Sequence, residues 1–329
     1  MLAPELLGAL QEWRVLVYGV LLLLLMIFAP KGVAGFLELA WQNRGVKRRR
    51  QEQLKFAGQH EEPAFQHASI RGAGLAILGV EKRFGGLAAL SGVDLIVERG
   101  KTHAIVGPNG SGKTTLLNVV SGYFAVDAGV IRLDDGELTG EEPHRIARQG
   151  VARTFQTPKL LGGETLLDNV LLGSVTQERS WILEIASRLP RARKEASRRR
   201  DEAMGMLDFV GLRDRAFDLA GDLPHGQQRL LEIARALAGC PRIILLDEPA
   251  AGLSMSELDR LSDLIRMLSK SGMTVVIVEH HLDLVVQICD AVTVLDRGRV
   301  LARGTPEEVF SHPEVVAAYI GKSAREQAA

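Results

Sequence analysis

Residues 107–114 read Gly107-Pro108-Asn109-Gly110-Ser111-Gly112-Lys113-Thr114. On their amino side, residues 102–106 (THAIV) form a β-type run, and on their carboxyl side residues 115–120 form an apolar run that reads as a helix. A glycine-rich loop between a strand and a helix is the context a phosphate-binding P-loop requires. The glycines let successive backbone N–H groups turn inward on an anion, and the helix N-terminus adds its positive dipole end. Gly107, Pro108, Asn109, Gly110, Ser111, Gly112 and Thr115 are therefore candidate nucleotide-binding residues. Lys113 is expected to reach the β- and γ-phosphates, and Thr114 to offer its hydroxyl to Mg²⁺.

The partner of such a loop is an acid at the carboxyl end of a buried strand. Residues 243–247 (IILLD) and 274–279 (TVVIVE) are apolar until a terminal acid, as strands covered on both faces should be. Open α/β sheets bind ligands at those strand ends, so Asp247 is a candidate to hold Mg²⁺ through water and Glu248 to polarise an attacking water. Between these runs lies an amphipathic stretch, residues 256–268, with Leu258, Leu261, Ile265 and Leu268 at helical spacing. Further β-type runs fall at residues 75–84, 93–97 and 291–296, the last followed by a hairpin partner at 299–302. A more polar, helical section covers roughly residues 163–221. Strand–helix alternation predicts an α/β domain with a mainly parallel sheet.

Composition agrees with a globular chain. Of 329 residues, 46% are hydrophobic and 24% charged, with 40 Lys+Arg balancing 40 Asp+Glu. Zero net charge argues against a protein that coats a polyanion. The basic run at 191–200 (RARKEASRRR) lacks interleaved aromatics and reads as a solvated helix face rather than a nucleic-acid patch. Cys240 and Cys289 are too few for a disulfide framework, which suits a reducing compartment, and are expected to be small buried hydrophobes.

The neutral total conceals a basic leader. Residues 1–60 hold eight basic and four acidic side chains. Residues 15–29 read VLVYGVLLLLLMIFA, and apolar character continues past Lys31 to residue 38, with Trp13, Tyr18 and Trp41 placed as interfacial aromatics. We read residues 1–44 as an apolar segment with a membrane span at about 15–38, in preference to a buried or interfacial helix or a signal peptide. The cluster at 45–50 (GVKRRR) would keep its end cytoplasmic and favour anionic lipid, at about 1 kcal/mol per basic residue. Residues 45–72 read as a basic, then polar, linker.

With these residues in hand, residues 73–322 resemble the ATP-binding subunit of an ABC transporter. The most specific resemblance is Leu223-Pro224-His225-Gly226-Gln227 with the following QRLLEIARAL, which is similar to that family's signature motif and helix. The resemblance implies a mainly parallel core sheet, an antiparallel β subdomain and a helical subdomain at about 163–238, with a tail at 323–329. It implies that Gln156, in Arg-Thr-Phe-Gln, touches metal and faces the membrane partner, and that 251–254 crosses a dimer interface. It also implies that His280 contacts the γ-phosphate, that Phe84 stacks on adenine, and that His225, Gly226 and Gln227 address a nucleotide. Two subunits, identical or homologous, would pair head to tail, each ATP lying between one P-loop and the other signature. Transmembrane permease subunits would be driven by that dimer, and a solute-binding protein would take part indirectly.

The family commonly has Ser second in the signature, where this chain has Pro224, so one hydroxyl contact is missing. Proline suits the first turn of a helix, and an altered but working half-site is expected over a degenerate one. Arg83-Phe-Gly-Gly-Leu, Arg153-Thr-Phe-Gln and Gly304-Thr-Pro-Glu-Glu-Val resemble the ATPase subunits of branched-chain amino-acid importers, the LivG type. Residues 12–35 are similar to the last span of the permease usually paired with that ATPase, so a permease–ATPase fusion would explain the join. Urea, short amides or another small solute remain alternative cargoes. A non-transport ABC-type ATPase is a further alternative, disfavoured by the apolar leader.

Overall fold

A computed structural model describes residues 71–174 and 190–318 together with Tyr18 and Val20; side chains of the long helix are described from Glu195 onward. The chain divides into two units, Met1–Glu62 and Pro63–Ala329. The apolar span at 15–38, the linker at 45–72 and the tail at 323–329 lie outside the described residues, save Tyr18, Val20, Arg71 and Gly72. Among the described residues, no helix is long and apolar enough to cross a membrane.

The second unit begins with β1 (Leu75–Phe84) and β2 (Leu87–Val97), an antiparallel pair. Their alternation puts Leu75, Ile77, Val80, Leu90, Val93, Leu95 and Val97 into the core. β2 starts six residues earlier than its sequence pattern predicts, because Leu87, Ala88 and Leu90 pair with the last residues of β1, although Leu87 is exposed and Ala88 half-buried. With β4 (Ala128–Leu133) and β5 (Gly136–Glu137) these strands form an antiparallel sheet in the order β2-β1-β4-β5.

The second sheet has the order β10-β9-β3-β8-β7-β6. Its centre is β3 (Thr102–Val106), β8 (Thr274–Val278) and β7 (Ile243–Asp247), each buried at every position. These parallel strands join β6 (Val151–Arg153) on one side and β9 (Ala291–Asp296) on the other. β10 (Arg299–Gly304) closes the edge antiparallel to β9.

The helices follow the strands: α1 (Lys113–Val120) after β3, α2 (Pro143–Arg148), α3 (Leu166–Gly173), α4 (Pro190–Phe209), α5 (His225–Leu237), α6 (Met255–Lys270), α7 (Leu282–Ile288) and α8 (Pro306–Phe310). α6 starts with a capping box, Ser254 and Glu257 serving each other's ends. It buries Leu261, Leu264, Ile265 and Leu268, while Leu258 is half-exposed. Among the described side chains of α4, Arg198 meets Glu195 and Glu202, and Arg199 meets Glu195.

The expectation that both cysteines are buried does not hold: Cys289 is half-buried and Cys240 exposed. Partial burial pushes the Cys289 thiol up. Cys240 is exposed and has φ +47, because it ends the turn leaving α5.

Candidate active site

The loop at 107–112 connects β3 to α1 and is shaped by backbone that only glycine adopts easily. Gly107 (φ +149), Gly110 (φ +77) and Gly112 (φ +107) are all positive. A Cβ on Gly107 would collide with the Leu295 carbonyl, and one on Gly112 would lie 2.7 Å from the Ala89 carbonyl. The loop is thus wedged between β9 and β2, and Gly112 caps α1 in the left-handed conformation. Lys113 is 6% exposed, and its Nζ donates to the carbonyls of Gly107 (2.8 Å) and Pro108 (3.1 Å). Ser111 Oγ is buried and has no hydrogen-bond partner. An orphaned hydroxyl, a buried ammonium and a cradle that Cβ atoms would fill together suit a phosphate chain. Asn109 and Gly110 are exposed at the tip; Thr114 is exposed and Thr115 half-buried at the start of α1.

Four of the other candidates come together at the carboxyl ends of β6, β7 and β8. Glu248 has φ +48, a rare conformation for a carboxylate residue and one that marks sites of stored strain. Its Oε2 accepts from Gln156 Nε2 (3.0 Å), and its Oε1 lies 2.8 Å from His280 Nε2. Asp247 is 2% exposed, and burial raises its carboxyl despite the opposing pull of Arg153, whose Nη2 donates to Asp247 Oδ2 at 3.0 Å. Among the described residues, no group of three or more His, Cys, Asp or Glu side chains could hold a metal by itself. Mg²⁺ ordinarily takes one or two protein ligands and completes its shell with substrate phosphates and water. A lone Asp247 beside a P-loop fits that pattern.

The remaining candidates stand apart from this group. His225, Gly226 and Gln227 form the first turn of α5. His225 packs near Gly252, a Cβ on Gly226 would strike the Glu257 carboxylate, and Gln227 Oε1 accepts from Arg215 Nη1 (2.5 Å). Pro224 is the cap residue, with φ −54 and ψ 153, rather than a member of the first turn. Its missing N–H lies outside the helix, so no donor is lost there. Phe84 is exposed at the β1–β2 hairpin and meets Phe124 edge to face with ring centres 5.2 Å apart.

Two arginines that sequence reasoning did not single out brace the site. Buried Arg229 of α5 donates to the backbone carbonyls of Phe155 (3.3 Å) and Gln156 (2.5 Å), strapping the Gln156 loop to the helix that starts at His225. Arg153 holds Asp247. A cleft of about 380 Å³ lies beside them, lined by Tyr123, Phe155, Arg153, Leu172, Glu232 and Arg235 among others. Burial raises the Glu232 carboxyl, whose Oε2 has no hydrogen-bond partner.

Comparison with known proteins follows this geometry. A family model described as ABC transporter matches residues 90–251, and one described as Branched-chain amino acid ATP-binding cassette transporter matches residues 299–325. The chain is 41% identical over 250 residues to the high-affinity branched-chain amino acid transport ATP-binding protein BraF of Pseudomonas aeruginosa, covering 76% of this chain and 98% of that protein. It is 38% identical to the corresponding protein LivG of Escherichia coli, with the same coverage. A solved ADP conformation of an ATP-binding cassette of an ABC transporter aligns with TM-score 0.66 at 34% identity, covering 76% of this chain and 99% of the other.

Proposed function

The chain belongs to the family of ATP-binding, ATP-hydrolysing subunits of ABC transporters, in its branched-chain amino-acid branch, and from that premise we propose that it couples ATP hydrolysis to the import of branched-chain amino acids or closely related solutes. It works on the cytoplasmic face of a membrane, against permease subunits, as one half of a nucleotide-binding dimer. The halves pair head to tail, so that the α5 end of one subunit closes on nucleotide held by the other's P-loop.

Within each site the residues divide the work. The backbone of 107–112 and the Lys113 ammonium bind the β- and γ-phosphates, and Phe84 stacks on adenine. Mg²⁺ neutralises charge on those phosphates when bound, and Thr114, Gln156 and Asp247 are the residues that would hold it. Glu248 takes a proton from the attacking water as its oxygen bonds to the γ-phosphorus and the bond to ADP breaks. His280 and Gln156 orient that carboxylate and the γ-phosphate. Phosphoryl transfer needs little covalent help from protein, so placement and charge do most of the catalysis.

The observation that carries this reading is the double hold on Glu248, by Gln156 at 3.0 Å and His280 at 2.8 Å. A surface acid would not be so restrained from two separate loops. The test is ATP turnover and ATP-dependent pairing of the full chain with and without Glu248. The segment at 15–38 acts as a permease-type anchor in this account. Recovery of the full chain entirely in the soluble fraction, after expression without partners and lysis without detergent, would contradict that part alone.

A further inference from the structure

Arg153 ends β6 and touches three parts of the site at once. Nη2 donates to Asp247 Oδ2 (3.0 Å), while Nη1 donates to Asn118 Oδ1 (2.7 Å) and Ser121 Oγ (2.8 Å). Asn118 and Ser121 lie at the far end of α1, the helix that the phosphate loop caps. The guanidinium carbon is 5.8 Å from the Tyr123 ring centre and 5.2 Å from that of Phe155, and the two rings meet edge to face. Both members of the ion pair are nearly inaccessible to water, with side chains 6% and 3% exposed.

Burying such a pair costs desolvation that its attraction often fails to return, and apolar replacements of similar size are commonly as stable. Stability alone is therefore a weak account of it. Orientation is the better account, since partners behind a metal-side ligand fix its direction and tune its affinity. The planar guanidinium suits this because one fork binds α1 while the other binds Asp247; a lysine ammonium cannot span both with the same geometry.

We propose that Arg153 is a positioning residue for hydrolysis: it fixes the Asp247 carboxylate through Oδ2, in the orientation in which Asp247 would help to hold Mg²⁺, and registers that carboxylate against the helix behind the phosphate loop. This rests on the ATPase reading above. It predicts a defect in the use of Mg²⁺ rather than in the binding of nucleotide itself.

The experiment titrates the full chain with the fluorescent probe MANT-ATP, in EDTA and across a Mg²⁺ series, and measures ATP turnover across the same series. Arg153→Met should keep the wild-type affinity in EDTA, while the Mg²⁺ concentration giving half its effect rises roughly 10- to 100-fold. Arg153→Lys should recover only part of that. A wild-type Mg²⁺ requirement in Arg153→Met overturns the proposal. Should Arg153→Met not fold, the double variant Asn118→Ala, Ser121→Ala keeps the ion pair but frees the guanidinium; a raised Mg²⁺ requirement supports the proposal and an unchanged one overturns it. Wild-type chain that neither binds MANT-ATP nor hydrolyses ATP would instead refute the ATPase reading, so the two failures are distinguishable.

Discussion

Gln156 and Glu248 are joined by a 3.0 Å hydrogen bond from the Gln156 amide to the Glu248 carboxylate, across 92 residues of chain. The bond connects the loop after β6 to the residue after β7, and His280, after β8, holds the other carboxylate oxygen. Three consecutive strand ends of one parallel sheet thus converge on a single acid. Because Arg229 fastens the Gln156 carbonyl to α5, movement of α5 as a dimer closes would be felt by the acid itself.

His280→Ala should therefore lower turnover by about 10²-fold or more, in the range seen for loss of a positioned acid–base partner. Binding of MANT-ATP should change much less. A turnover loss matched by an equal loss of affinity would mean that His280 serves binding alone.

Gly107→Ala tests the phosphate cradle. The substitution puts a Cβ against the Leu295 carbonyl at φ +149. Strain of this kind costs on the order of 1–3 kcal/mol. Thermal unfolding should show the destabilisation and MANT-ATP binding should be severely weakened; a variant with wild-type affinity would show that the loop does not need this conformation.

Pro224→Ser should raise turnover, since serine both caps α5 and supplies a hydroxyl at the end that, in the proposed head-to-tail dimer, would face the partner's nucleotide. Serine is a far better cap than residues without a side-chain acceptor, by about 1 kcal/mol. Equal turnover in the two proteins would show that the hydroxyl is dispensable in this branch.

His103 carries a pH prediction. It is buried on β3, 2.8 Å from Thr293 Oγ1, and burial lowers its pKa from 6.5 to about 4. Because the folded value is depressed, the unfolded chain binds the extra proton between these limits. Stability from keeping this ring neutral is present above pH 6.5 and is lost as pH falls toward and through about 4. The shift corresponds to about 3 kcal/mol at most. His103→Gln should flatten the stability profile in that window, as read by denaturant midpoints; an unchanged slope would mean that other groups govern acid sensitivity.

Much of this was legible in the chain. β1, β3, β7 and β9 coincide with apolar runs because each is long enough, or buried enough, to leave an uninterrupted pattern. β6 escaped because three residues, Val151–Arg153, make no periodicity, and pairing with β7 alone makes them a strand. Lys113 and Glu248 stood out from the phosphate-loop and strand-end patterns, and Gln156 and His280 through the family resemblance; the structure brings Gln156, Glu248 and His280 together. Arg153 and Arg229 were not legible, because what makes them important lies 94 and 73 residues away in sequence. Nothing local distinguishes a buried clamp from a surface arginine. Glu257, whose carboxylate stands beside Gly226, was hidden for the same reason.

The central claim is that this chain hydrolyses ATP with Glu248 as the base. The most direct measurement compares turnover and ATP-dependent self-association of the full chain with those of Glu248→Gln. The amide keeps the size of the side chain and one acceptor oxygen for Gln156, but it cannot take the proton. The account predicts that turnover is abolished while the ATP-dependent dimer persists; undiminished hydrolysis in Glu248→Gln would contradict it.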